Sequence, residues 1–341
     1  MAVITVAVER GNYPPIASTY FNFEELDAFH APEVLRTVYG SSWFGLVITA
    51  GDMAFLHAYQ PQALPQGEGL DIDPFIGYAG PMVTSSASAE FCDQAATAYS
   101  AWCREQGIIA EIIRFNPILR NDAVYALSST IEVFKAKDIV VVACNPNEEA
   151  QLASFSTKCR SSVKRGIRDC TFEKLDKTTN WDAFVAFYMA SLHRIGADPR
   201  WSFSPEFFAR AAQSSVFQVY AVRHEDKLAS VSLVIEHPLA GYYFLAASSE
   251  QPVQGANEYL VYGISQRLAQ MGCPRLVLGG GNSADEDDAL LRFKKKFAPA
   301  LIPLMLGKLV HEPQAFNQLV AAAIARRPEL EAMRFFLKYR L

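Results

Sequence analysis

Long apolar runs are missing from this 341-residue chain: no uninterrupted stretch reaches the roughly 20 residues that a helix needs to cross a bilayer. A basic leader is missing too. The apolar start, Met1 to Val8, runs straight into Glu9-Arg10 and is expected to be a strand rather than a signal peptide. A cytoplasmic location is the expectation. Paired cysteines are absent: Cys92, Cys103, Cys144, Cys159, Cys170 and Cys273 are scattered and form no CxxC, which argues against a zinc ribbon or a dithiol redox motif. Buried free thiols in a reducing compartment are expected. Excess positive charge is absent as well. The net charge is −5 and the pI about 5.8, so no global field recruits duplex DNA or an anionic membrane.

Low-complexity segments are lacking, as are HExxH, GxSxG, GxGxxG and the phosphate loop GxxxxGKS/T. The six histidines (His30, His57, His193, His224, His237, His311) are well separated. None reads as the base of a nucleophile, and each is expected to be structural or superficial. No metal and no tightly bound cofactor are expected.

What is present is an ordinary globular balance, 50% hydrophobic and 20% charged. The length suits one large or two medium domains, at roughly 100–200 residues each. The pattern reads as alternating helices and strands, hence α/β layers. In the first half, a strand near Val3–Val8 precedes a helix near Phe23–Tyr39. Runs Trp43–Ala50 and Met53–Tyr59 flank the hairpin signal Gly51-Asp52, and a third run covers Phe75–Val83. A helix near Ala89–Gln106 and strands near Ile108–Phe115 and Thr130–Ala143 follow.

The second half repeats that order of elements without residue identity. It starts with a long helix, Asn147–Arg168, and has strands at Val216–Arg223, Leu228–Glu236 and Gly241–Ala247. A helix from Gly255, a strand Arg275–Leu278, a helix about Ala284–Phe297 and a strand Leu301–Val310 complete it. The tail Pro313–Leu341 reads as two helices split at Pro328. Two domains of one fold are the inference: a first over 1–146, completed by 311–341, and a second over 147–310.

Several patterns could carry chemistry. On the helix Asn147–Arg168, Leu152, Phe155, Cys159, Val163 and Ile167 form an apolar row. Beside it Arg160, Lys164 and Arg168 stack at four-residue spacing, with Lys158 and Arg165 adjacent. Such a face suits a pyrophosphate, coenzyme A or a nucleic-acid backbone. It equally suits a solvated helix whose basic end complements its own dipole. Gly255-Ala256-Asn257 opens a helix whose free N–H groups can hold an anion, or it is a plain helix start. Gly279-Gly280-Gly281 ends a strand and permits positive φ and close approach of a ligand. Ser283 with Glu286 reads as a capping box rather than a metal cluster. In Leu290 to Phe297, Leu290, Phe293 and Phe297 form an inward row, Lys294 flanks it with its ammonium in reach of a cleft, and the other lysines are expected to face solvent.

In this order, the basic helix Phe155–Arg168, the strand Gly241–Ala247, Gly255-Ala256-Asn257, Leu278-Gly279-Gly280-Gly281 and Leu291-Arg292-Phe293-Lys294-Lys295-Lys296-Phe297 resemble FemAB-like proteins of the GNAT acyltransferase superfamily, of the FemX-like or small acyltransferase kind. The resemblance covers about Asn147–Ala298. The first half shares only element order and Gly77-Tyr78-Ala79-Gly80-Pro81.

The resemblance implies a mixed-sheet α/β protein with two tandem GNAT-like domains around a cleft. It implies transfer of an acyl or aminoacyl group, from acyl-CoA or aminoacyl-tRNA as co-substrate, to an amine of a cell-envelope, polysaccharide or natural-product precursor. Phe293 and Lys294 match a Phe-Lys pair that handles the aminoacyl donor in FemX-type enzymes. The residues expected to bind donor or substrate are Arg160, Lys164, Arg165, Gly255, Asn257, Gly279, Gly280 and Gly281. Partners would be the acceptor and, for an aminoacyl donor, tRNA. A plain acetyl-CoA-dependent N-acetyltransferase and a non-catalytic GNAT-like binding protein stand as alternatives.

Overall fold

The computed structural model describes residues 3–341 except 66, 68, 75, 127, 284, 286 and 299. The start of the N-terminal strand reading (Met1, Ala2), the first residue of the Phe75–Val83 run, the helix start at Ala284 and the capping residue Glu286 therefore lie outside the described residues. The fold is mixed α/β, and the chain divides into two compact units, Met1–Ala136 with Leu304–Leu341, and Lys137–Pro303.

In chain order the first unit runs β1 (Thr5–Arg10), α1 (Ala17–Tyr20), α2 (Pro32–Tyr39), β2 (Phe44–Ala50), β3 (Met53–Tyr59), β4 (Gln62–Ala63), β5 (Leu70–Ile72), β6 (Met82–Val83), α3 (Ala89–Glu105), β7 (Ile108–Arg114) and the first part of β8 (Glu132–Ala143). Strands β1-β2-β3-β6 form one sheet. Its β2–β3 hairpin turns at Gly51, where φ is +65°, a conformation open to glycine at little steric cost. Helix α3 starts at Ser88, whose hydroxyl accepts from the Phe91 N–H. It lays Phe91, Cys92, Ala95, Ala96, Tyr99 and Cys103 on the core beside Leu46, Ile48 and Phe55, at the three- and four-residue steps of one helix face.

The run expected as a third strand over Phe75–Val83 is not one. Only β6 pairs with β3, and Ala79 makes an isolated bridge to Phe115. The cause is local: Gly77 and Gly80 hold φ of +91° and +69°, outside the extended region. The segment is pinned instead by side chains. Arg114 Nε donates to Gly77 O at 2.9 Å, and Asn116 Nδ2 donates to Tyr78 O at 2.8 Å.

The second unit carries the rest of β8, then α4 (Glu148–Ser154), α5 (Thr157–Asp169), β9 (Thr171–Lys174), α6 (Lys177–Ile195), α7 (Pro205–Gln213), β10 (Phe217–His224), β11 (Lys227–Ile235), β12 (Gly241–Ser248), α8 (Ala256–Gln270), β13 (Arg275–Gly279) and α9 (Ala289–Lys295). Its strands lie in the order β8-β13-β12-β11-β10-β9, antiparallel except where β12 meets β13. Glu225 and Asp226, with φ of +48° and +62°, make the two-residue turn between β10 and β11. Edge strand β9 was not expected; four residues with two charges give no alternation to read. Helix α8 buries Leu260, Val261, Ile264 and Leu268 against Val140, Val222, Val234 and Leu276.

The chain re-enters the first unit along β14 (Leu301–Val310), which pairs antiparallel with β7, and then forms α10 (Pro313–Arg326). The second helix expected after Pro328 is replaced by two 3-10 turns, Pro328–Leu330 and Lys338–Arg340. Contacts at the tail's end hold it in this form. Arg340 Nε donates to both oxygens of the fully buried Asp71, at 2.7 and 2.9 Å, and Lys338 Nζ donates to Leu330 O at 2.7 Å. Replacing Arg340 with Ala strands a buried carboxylate, which is expected to cost about 3 kcal/mol. Urea denaturation of R340A should show a clearly lower midpoint; an unchanged midpoint would mean that this pair does not anchor the tail.

Candidate active site

The long helix read over Asn147–Arg168 is two helices, α4 and α5, broken at Phe155 and Ser156. Phe155 is extended, and the Ser156 hydroxyl caps α5 by accepting from Cys159 N–H at 3.3 Å. The apolar row is corrected with it. Phe155, Cys159 and Val163 are buried, but Ile167 is 45% exposed and Gly166 takes the buried place. Residues four apart gain about 40° per step against the 3.6-residue turn, so a straight row drifts off the face.

Gly166 is buried for a geometric reason. A Cβ there would lie 2.6 Å from both Gly255 O and Tyr259 Cβ, and a Cβ on Gly255 would overlap Ser162 O. Helices α5 and α8 therefore touch backbone to backbone. Gly255, with φ +84°, is the residue preceding α8 and the second half of this contact. Asn257 is half-buried in the first turn of α8. Of the basic face, Arg165 donates to the Gln254 side chain and stands 3.7 Å from Asp169. Arg168 pairs with Asp169 at 2.7 Å, and Lys164 is exposed. Arg160 bends back to donate to Phe155 O at 2.7 Å, Ala153 O at 3.3 Å and Thr157 Oγ1 at 3.0 Å, closing the end of α4.

The second group forms on the loop after β13. Gly279 has φ +74°. The carbonyls of the next two glycines are each taken by a lysine: Lys294 Nζ donates to Gly280 O at 2.7 Å and Lys137 Nζ to Gly281 O at 2.9 Å. The loop then wraps the Asp288 carboxylate. Asp288 accepts from the Asn282 and Ser283 N–H groups and caps α9 through the Leu291 N–H at 2.9 Å. Asp288, not Ser283, is thus the N-cap of α9, and the helix starts five residues later than expected. Leu291 is buried and Leu290 is not, so Leu291, Phe293 and Phe297 rather than Leu290 pack on the core.

Lys294 is 8% exposed. Burial first, and the neighbouring Lys137 charge second, pull its ammonium down to about 8, with Asp288 working the other way. Phe293 meets Phe297 edge to face at 5.3 Å, and Phe297 meets Phe155 at 5.2 Å. The Lys296 carbonyl accepts from Ser156 N–H at 2.9 Å, which docks the end of α9 on the start of α5. Lys296 does not face solvent freely as expected. It pairs with Glu258 of α8 at 3.2 Å and lies 5.2 Å from the centre of the Phe293 ring.

The model of the acetyltransferase (GNAT) domain matches residues 153–295, which contain α5, α8, the glycine loop and α9 up to its last residue. This segment is a GNAT acyltransferase domain. Among solved structures, FemX aligns over 86% of this chain and 94% of its own, with a TM-score of 0.62 at 14% identity. A tandem GNAT protein of the clavulanic acid biosynthesis pathway aligns over 89% and 98%, with a TM-score of 0.55 at 10% identity. The C-terminal domain of a putative lysylphosphatidylglycerol synthetase from Agrobacterium fabrum aligns over 81% and 86%, with a TM-score of 0.54 at 16% identity. At such identities the likeness is one of fold, and the tandem protein extends it to two GNAT-like domains. No curated protein sequence matches the chain.

Within the GNAT domain, Lys294 meets the Gly279–Gly281 loop directly at Gly280, and Phe293 precedes it on α9. Arg165, Gly255 and Asn257 gather at the α5–α8 contact. Phe155, Phe297 and the Glu258–Lys296 pair join the two groups. Sequence reasoning missed Lys137, Glu258 and the Lys296 pair, and read Asp288 only as one of the acids at a helix start. Glu258, beside Asn257, and Lys296, two residues after Lys294, had a local signal; Lys137 had none. Among the described residues no helix is long and apolar enough to cross a membrane.

Two outcomes follow from this geometry. Gly166→Ala should lower the thermal midpoint, at about 1–3 kcal/mol for overpacking; an unchanged midpoint would mean that the two helices separate without strain. For Lys294, the folded value of about 8 lies below the ordinary 10.5, so the unfolded chain binds more protons between those pH values. Wild type should therefore gain stability between pH 8 and pH 10.5, by an amount on the order of 3 kcal/mol. Lys294→Met should lack that gain. Parallel urea midpoints for both proteins in this window would refute the shift.

Proposed function

We propose that this acyltransferase moves an acyl or aminoacyl group from acyl-CoA or aminoacyl-tRNA to an amine of a cell-envelope, polysaccharide or natural-product precursor. One observation carries the reading: a buried lysine in the GNAT domain, turned onto the Gly280 carbonyl beside a second lysine. Burial and Lys137 both disfavour the Lys294 ammonium. An anion placed near it relieves both penalties, so the site gains most where negative charge develops.

Acyl transfer of this kind needs no protein nucleophile. The neutral amine attacks the donor carbonyl, the carbonyl oxygen takes up negative charge, and the intermediate collapses as the C–S bond to CoA or the C–O bond to the tRNA ribose breaks, with the proton lost from the amine passing to the departing sulfur or oxygen. Lys294 would stabilise that oxyanion or hold a donor phosphate, and Phe293 would wall the site. Lys164 and Arg165 are exposed and would meet donor phosphates, with Arg160 bracing the start of α5 beside them. Gly279–Gly281, Gly255 and Asn257 would let a ligand approach backbone groups.

GNAT domains take acyl-CoA as co-substrate, and the matching model describes an acetyltransferase, which favours acetyl-CoA as the second reading for the donor. The envelope and natural-product acceptors draw support from the lysylphosphatidylglycerol and clavulanic acid contexts of the structural neighbours.

A thermal-shift screen with acetyl-CoA, longer acyl-CoAs and charged tRNA separates the donors: the true donor should raise the midpoint. With that donor, Lys294→Met should lower kcat by about 10²-fold, the scale of losing one oxyanion donor. A variant near the wild-type rate would remove Lys294 from the mechanism. A screen in which no donor stabilises the protein would favour a non-catalytic binding protein.

A further inference from the structure

The first unit holds a cluster that the acyl-transfer reading does not use. Glu111 on β7 is 1% exposed. His57 Nε2 lies 2.8 Å from its Oε1, and Tyr99 OH donates to Oε2 at 2.7 Å. Burial works to raise the Glu111 carboxyl, but His57 and His311, which face it, outweigh burial and hold it below its usual range. The ionised carboxylate only accepts, so the His57 proton sits on Nε2. In that tautomer Nδ1 carries a lone pair and only accepts. A second proton, on Nδ1, would be a buried donor without an acceptor.

Nδ1 is buried without a hydrogen-bond partner, and the ring, 3% exposed, lines a cavity of about 40 Å³. Two donors line the same cavity. The Tyr59 hydroxyl accepts from Trp102 Nε1 at 2.8 Å, which leaves its own proton to donate, and burial pushes the phenol up so that it keeps that proton. Arg114 lines the space from the end of β7. Its Nε is committed to Gly77 O at 2.9 Å, and its two terminal nitrogens are further donors. The half-buried Gln60 and Gln62 also line it. Their side-chain nitrogens are committed to Ser42 Oγ at 2.6 Å and Asp73 O at 3.1 Å, so each keeps its oxygen as an acceptor. Among the described lining residues, Glu111 and Arg114 set one fixed charge of each sign.

We infer that this cavity binds the primary carboxamide end of a small molecule, its N–H group donating to His57 Nδ1 and its carbonyl accepting from the Tyr59 hydroxyl and Arg114. Size and polarity both lead there. A water needs roughly 10–15 Å³ in this measure of volume, so the cavity takes about three heavy atoms, the carbon, oxygen and nitrogen of one carboxamide. Whole nucleotides and sugars are too large. The lining asks for a group that donates at one edge and accepts at the other. A carboxylate has no proton for Nδ1 and meets the ionised Glu111. An ammonium or amidinium offers nothing to the Tyr59 proton and adds a cation beside Arg114. A ketone leaves Nδ1 unpaired. The neutral amide satisfies both edges and adds no charge, and its second N–H suits the oxygen of Gln60 or Gln62. The pocket is built from first-unit residues alone and does not depend on the acyl donor or on Lys294.

The test uses the full chain and four probes of one shape: acetamide, acetate, acetamidinium and acetone. In ¹⁵N-histidine spectra, His57 Nδ1 should be unprotonated in the ligand-free protein and should shift saturably, as one site, with acetamide. Acetate, acetamidinium and acetone should bind at least about tenfold more weakly, the scale of one buried group left without its partner. H57Q keeps an N–H for Glu111 at the Nε2 position and removes the Nδ1 acceptor; Y59F and R114Q each remove a donor to the carbonyl. By calorimetric titration H57Q should weaken acetamide about tenfold, and Y59F and R114Q about fivefold each. Should H57Q fail to fold, Y59F, R114Q and the His57 resonance decide. Any of the three other probes binding as tightly as acetamide, acetamide binding indifferent to both Y59F and R114Q, a protonated Nδ1 in the ligand-free protein, or no binding of any probe (a cavity for water only) would each overturn the pocket.

Discussion

Backbone contact between α5 and α8 is the constraint on which the second unit turns. Gly166 and Gly255 approach so closely that neither position accepts a Cβ. That contact fixes which face of α5 is buried, and so brings Cys159 and Val163 onto the core while Ile167 points outward. The start of α5 at Thr157 is held separately. Phe155 then meets Phe297, and Ser156 takes the Lys296 carbonyl. Through these two joints the end of α9 is held, and with it Lys294. A side chain at either glycine would thus be felt at the lysine without touching it.

The two units bury charge in opposite ways. In the first, Glu111 is enclosed by Tyr99, His57 and His311, so its negative charge is compensated and stays. In the second, Lys294 is enclosed beside another lysine, with one carbonyl hydrogen bond and Asp288 as the opposing charge. A compensated charge builds structure; an under-compensated one stores affinity for whatever brings the missing sign. The difference is why we propose the lysine for the reaction centre, whereas the glutamate serves as the partner of His57.

Much of the architecture was legible. Strong periodic elements such as α3, the β2–β3 hairpin, β10, β11 and α8 come from local pattern and turn chemistry, and those signals survive folding. The misreadings have different causes. The helix over Asn147–Arg168 looked continuous because Phe155 and Ser156 fit its pattern, yet at the break both residues meet distant partners near the end of α9. The run Phe75–Val83 looked like a strand because its residues are mostly apolar, yet two glycines with positive φ interrupt its extended backbone.

For the candidate site the division is sharper. The order of the glycine loop and the Phe-Lys pair was written in the chain, because backbone freedom at Gly279–Gly281 and the side chains of Phe293 and Lys294 belong to residue type, and the acyltransferase reading came through the resemblance of that order to FemAB-like proteins. What Lys294 experiences was not. Its partner Gly280 lies 14 positions away, and Lys137 was read only as part of a strand. His57, Glu111 and His311 are spread over most of the sequence and looked unremarkable one by one. Only the tertiary structure brought them within a few ångströms and removed the water around them, and desolvation and proximity together decide which charge a side chain can keep there.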